Sequence, residues 1–98
     1  MESYSQLGRI YLASNKYTQS LWFYTQQGIL ARQMGDNGAY ISSVLGIANV
    51  KIKKKEYMMA AKDLSRAEAL AKSSGGNSFK SQIREARALI PFKSVQKK

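Results

Sequence analysis

Apolar residues along the chain recur three and four positions apart, with no sustained period-two alternation, so the pattern predicts helices throughout. Tyr4, Leu7, Ile10 and Tyr11 form a first stripe with Leu12 beside it, and Tyr17, Leu21, Tyr24, Gly28 and Ala31 form a second, flanked by Phe23, Leu30 and Met34. Asn15-Lys16 divides them, and Asn15 suits the N-cap of the second helix. Gly35-Asp36-Asn37-Gly38 is a clear break: Gly35 can end a helix in the left-handed conformation, and Asp36 or Asn37 can cap the next. A third helix carries Ile41, Val44, Leu45, Ala48 and Ile52. A fourth carries Tyr57, Ala60, Ala61, Leu64, Ala67, Leu70 and Ala71. After Ser74-Gly75-Gly76-Asn77 a fifth helix is expected with Phe79, Ile83, Ala86, Leu89 and Ile90 on one face, ending near Pro91. Residues 92–98 read as a frayed basic tail.

The two halves repeat one another. An ungapped offset of forty residues aligns Leu7 with Ile47, Gly8 with Ala48, Ile10 with Val50, Leu12 with Ile52, Tyr17 with Tyr57 and Ser20 with Ala60. It also aligns Leu30 with Leu70, Ala31 with Ala71, Gly35 with Gly75 and Asn37 with Asn77. Loop and core positions recur together, which helical periodicity alone does not produce, so the chain reads as an internal repeat.

The first repeat reads Tyr4-x-x-Leu7-Gly8-x-x-Tyr11, followed by Tyr17, Ser20 and Tyr24. This resembles the tetratricopeptide pattern, in which small residues sit where two helices approach and aromatics fill the space around them. The second repeat keeps Ala48, Tyr57 and Ala60, places Leu64 for the aromatic, and departs at Lys51, opposite Tyr11. The period exceeds the usual value of about 34, so the chain is similar to the long-repeat variety. The resemblance implies an all-α fold: a right-handed superhelix of antiparallel helix hairpins, with two repeats at about 3–36 and 40–75 and a capping helix at about 77–90. One domain would then span residues 1–91.

The resemblance also implies a protein- or peptide-binding scaffold without chemistry of its own, its ligand lying on the concave face formed by the first helix of each hairpin. Helical spacing places Ser5, Arg9 and Leu12 on that face, and Ser42, Leu45, Asn49 and Lys53 in the second repeat. Arg9, Asn49 and Lys53 would donate to a peptide backbone or carboxylate.

Composition narrows the chemistry. The chain has no cysteine and no histidine, which removes disulfides, thiolate metal sites and the commonest general base. The six carboxylates are dispersed, so no catalytic residue, metal site or cofactor is expected. Charge is lopsided: residues 1–49 hold three basic and two acidic side chains, residues 50–98 thirteen and four. An acidic partner for the second half is one reading, and a solvated surface is the other. Lys51, Lys53, Lys54 and Lys55 form the densest basic patch. It reads either as an anion site or as lysines favoured near a helix C-terminus. Nucleic-acid or polyanion binding through this half is the alternative function, although aromatics for stacking single strands are sparse among the lysines.

Trp22, the only tryptophan, has Lys62 as its repeat-mate, which places it outside the hairpin core as a candidate protein contact. With Tyr4 and Tyr11 it would leave the N-terminal hairpin open to a preceding repeat or to a second copy of the chain, giving a homodimer. No segment approaches the roughly 20 apolar residues that span a bilayer, and no signal-peptide pattern opens the sequence, so no membrane insertion and a cytoplasmic location are expected.

Overall fold

A computed structural model of the protein describes residues 3–74 and 79–91. Five helices occupy them: α1 (Tyr4–Ala13), α2 (Tyr17–Met34), α3 (Asn37–Lys53), α4 (Tyr57–Ser73) and α5 (Lys80–Ala88). No strand occurs among the described residues, so the chain is all-α. The turn expected at Gly75, Gly76 and Asn77 and the tail at 92–98 lie outside them.

The starts and stops have local causes. Ser3 opens α1 with a reciprocal capping box: its hydroxyl accepts from the Gln6 amide while the Gln6 side chain accepts from the Ser3 amide. Asp36 opens α3 at Asn37 by accepting from the Ala39 amide at 3.0 Å. Gly35 ends α2 with a left-handed φ of 71°.

The forty-residue recurrence extends to the backbone. α1 and α3 end at Ala13 and Lys53, and α2 and α4 begin at Tyr17 and Tyr57. Between them Asn15 and Lys55 both adopt positive φ, 62° and 66°. The Lys16 amide donates to the Tyr11 carbonyl, and the Glu56 amide to the Lys51 carbonyl, each at 2.8 Å. Asn15 donates to Leu12 and Lys55 to Ile52 in the same way, so both turns are Schellman motifs. Asn15 is therefore a left-handed terminator of α1 and not the N-cap of α2. Lys16 holds that position and makes no side-chain cap.

Successive helices pack along the chain, with α3 in the middle: it touches α1, α2, α4 and α5. The contacts run in opposite chain order. Tyr24 meets Gly46 and Gly28 meets Ser43 between α2 and α3, while Lys51 meets Asp63 and Tyr40 meets Arg66 between α3 and α4. The aliphatic core lies in α3, α4 and α5, with Ile41, Val44, Ala48, Ala60, Leu64 and Ala67 at its centre. Leu64 is fully buried, and truncation of such a side chain to alanine costs about 2–5 kcal/mol.

The first hairpin joins this core through small residues and one ring. The Ser20 hydroxyl donates to the Gly8 carbonyl at 2.7 Å, a bond that requires α1 and α2 to approach closely. A side chain at Gly8 would meet the Tyr24 ring at 2.8 Å, and one at Gly46 would overlap the same ring. Tyr24 is thus wedged between a glycine of α1 and a glycine of α3. At the other end α5 buries Ile83 and Ala86, with Phe79 and Ile90 partly buried. Leu89, expected on that buried face, is 62% exposed, because it lies about 100° round the helix from Ile90 and further still from Ile83.

Candidate functional site

The residues expected to line a concave peptide face divide on burial. Arg9 and Lys53 are exposed; Ser5, Leu12, Ser42 and Asn49 are half-buried. Leu45 is not on offer: it is 4% exposed and belongs to the core, since its position on α3 turns it inward. Ser42, Asn49 and Lys53 share one side of α3 by helical spacing, and beside α1 a shallow depression is lined by Gln6, Arg9, Ile10 and Ala13.

The four-lysine patch does not form as a unit. Lys51 turns toward α4, where its ammonium lies 2.8 Å from Asp63 Oδ2, both side chains mostly buried. Lys54 pairs with Glu56 at 3.5 Å. Lys53 and Lys55 are exposed. Lys51 and Lys53 point about 200° apart on α3, and Lys54 and Lys55 lie in the turn beyond its end, so the four lysines do not share a face.

Trp22 is 54% exposed and sits in an aromatic group at the outer side of the first hairpin. Its ring meets Tyr4 and Phe23 edge-on, at 6.4 and 5.1 Å between centroids, and Phe23 stacks on Tyr11 at 5.3 Å. Tyr4 is 37% exposed. Part of this group is fixed by packing, and part faces out.

A further concavity lies elsewhere. α2 and α4 both pack on α3 and leave a groove between them, floored by Tyr40, Val44 and Ile47 of α3. Its volume is about 300 Å3. Gly28 and Arg32 border it from α2, Asp63 and Arg66 from α4. Gly28 keeps the α2 wall low; an added side chain there would press on Ser43 Oγ at 2.8 Å. The groove continues past Tyr40 into a second hollow of about 370 Å3 that Arg32, Tyr40 and Arg66 also line. Positions 40, 44, 47 and 51 of α3 lie opposite positions 42, 49 and 53, so the groove and the expected peptide face are on opposite sides of one helix.

The electrostatics of the groove are set by two arginines on one ring. The Arg32 guanidinium lies 5.4 Å, and that of Arg66 5.9 Å, from the Tyr40 ring centroid, within cation–π range. Arg66 also donates to the Tyr40 hydroxyl. Among the described residues neither arginine is ion-paired, and the two carboxylates that line the hollows are already engaged, Asp63 by Lys51 and Asp36 by the Ala39 amide that it caps. At the α2 wall, burial raises the Tyr24 phenol above its ordinary value of 10.0, partly opposed by the Arg9 charge.

The groove was not legible as a site, because it depends on the spacing of α2 and α4 across α3. Among the described residues no group of acidic side chains is assembled that could hold a metal ion, and no helix is long and apolar enough to cross a membrane. Comparison with family models, curated proteins and solved structures finds no match to the chain.

Proposed function

We propose that the chain is a tetratricopeptide-like module that binds a protein or peptide and carries no chemistry of its own, its hairpins stacked as the start of a right-handed superhelix. The observation that carries this reading is the structural repeat. The ends of α1 and α3, the starts of α2 and α4, the left-handed residues between them and their backbone bonds recur at one fixed offset of forty residues, and buried Ala48 and Ala60 stand at the positions that correspond to Gly8 and Ser20. Stacked helical repeats bury one side of each hairpin against its neighbours and leave extended faces for a ligand. Arg9, Ser42, Asn49 and Lys53 supply hydrogen-bond donors on such a face.

Binding of nucleic acid or another polyanion is the second reading. The basic second half favours it, and the diversion of Lys51 to Asp63 and Lys54 to Glu56 weakens the densest part of that surface.

Selection of a random peptide library displayed on phage against the 98-residue chain tests the first reading. Enrichment of a shared motif, followed by saturable binding of the synthetic peptide, is expected. A library that yields no motif above that seen with an unrelated helical protein would contradict it.

A further inference from the structure

The groove between α2 and α4 lies on the side of α3 away from the face on which the repeat resemblance places a ligand. Three features there point to one ligand chemistry. First, Arg32 and Arg66 come from different repeats yet converge on the same Tyr40 ring, 5.4 and 5.9 Å from its centroid. Two like charges drawn to one place repel each other, and an anion between them removes that repulsion. Second, among the described residues neither has a carboxylate partner, although Lys51, a few residues along the groove, has one. Apart from the Arg66 nitrogen bonded to the Tyr40 hydroxyl, their donors are free of protein partners among the described residues, and a guanidinium holds a carboxylate through paired, charge-assisted hydrogen bonds. Third, the groove is elongated: the hollow beside Ile47 and Gly28 and the hollow beside Gly35 and Leu70 meet at Arg32, Tyr40 and Arg66. An extended chain laid along it would pass both arginines, its apolar atoms over Ile47 and Leu70.

We propose that this groove binds an acidic peptide segment, with Arg32 and Arg66 gripping its carboxylates beside the Tyr40 ring. The proposal rests on the reading of the chain as a peptide-binding module and adds a second surface and a ligand charge to it. Charge complementarity selects the occupant. A neutral segment would leave both guanidinium groups desolvated without a partner, and a basic one would be repelled.

The test uses the full chain and a fluorescein-labelled Glu-Ser repeat peptide, with the Gln-Ser peptide of equal length as its neutral match, read by fluorescence anisotropy. The wild type should bind the Glu-Ser peptide and not the Gln-Ser peptide, with affinity falling as salt rises. Arg32→Gln combined with Arg66→Gln should weaken binding at least about tenfold. Both side chains are exposed, so the circular dichroism spectrum should not change. Lys80→Gln combined with Arg84→Gln removes the same charge from exposed positions on α5 and should leave binding as it was. Equal losses from both double variants would show a response to net charge alone and overturn the site. So would a loss produced by Arg9→Gln with Lys53→Gln in place of the groove variant, although peptide binding itself would then stand. Absence of Glu-Ser binding while a library-selected peptide still binds would also overturn it and leave the broader reading intact. Tight binding of duplex DNA with none of the peptide would overturn both.

Discussion

Lys51 and Asp63, joined across α3 and α4 at 2.8 Å, occupy the positions forty residues after Tyr11 and Phe23, whose rings stack between α1 and α2 at 5.3 Å. One place in the hairpin is thus filled by an aromatic pair in the first repeat and by an ion pair in the second. The two solutions differ in what happens when one partner is removed.

Loss of a ring leaves a gap, whereas loss of Asp63 leaves an ammonium held mostly out of water. Asp63→Leu alone should therefore destabilise the chain by about 1–3 kcal/mol, the cost of an unsatisfied buried polar group. Lys51→Met combined with Asp63→Leu should recover most of that loss, because replacing both partners of a buried pair is close to neutral. Urea midpoints of the four proteins give the coupling directly. Additive losses would show that the pair does not act as a unit.

The Tyr24 ring between Gly8 and Gly46 gives a second prediction. Alanine in a helix interior is ordinarily worth about 1 kcal/mol over glycine. At Gly46 the added carbon would overlap the ring, so Gly46→Ala should be net destabilising, by about 1–3 kcal/mol. Gly38→Ala in the same helix meets only Asp36 Oδ1, at 3.7 Å, and should stabilise or be neutral. Adding Tyr24→Leu to Gly46→Ala should relieve the clash, since Leu64 fills the equivalent place in the second repeat. Thermal melts of these variants check the signs.

The same ring predicts an alkaline limit. Burial holds the Tyr24 phenol neutral to higher pH than in the unfolded chain, where it ionises near 10.0. Below that value both states are neutral and the full stability is present. As pH rises from the unfolded value through the raised folded value, the unfolded chain releases its proton first and stability falls. Tyr24→Phe should lose this component, so the stability difference between wild type and variant should shrink in favour of the variant above about pH 10. A difference that stays flat from pH 8 to 11 would show that the phenol is not shielded.

Asn15 and Lys55 show where sequence reading succeeded and where it failed. The forty-residue offset was legible because small and apolar residues mark both copies of the hairpin contact, Gly8 with Ala48 and Ser20 with Ala60. The role of Asn15 was not, because asparagine suits both an N-cap and a left-handed turn. The choice is made by the bond from the Lys16 amide to the Tyr11 carbonyl, which no local pattern encodes. Lys51 was grouped with its neighbours in sequence, whereas helical rotation sends it to Asp63. The arginines at Tyr40 come from helices whose separation only packing decides.

At Lys55 the positive φ of 66° carries a cost that glycine avoids. Lys55→Gly should gain about 0.5–1 kcal/mol, and Asn15→Gly less, since asparagine tolerates the left-handed region. Chemical denaturation of both variants measures the difference. A loss at Lys55→Gly would mean that the turn there is not left-handed in solution.

The central claim, that this repeat is a peptide-binding module, is tested most directly by an amide nitrogen–proton NMR titration of the chain with a library-selected peptide. The account predicts saturable shifts that join residues of both repeats on one continuous surface: Arg9 with Ser42, Asn49 and Lys53, or Arg32 with Tyr40 and Arg66. Shifts that fail to saturate, that match those caused by the scrambled peptide, or that scatter over unconnected positions would contradict it.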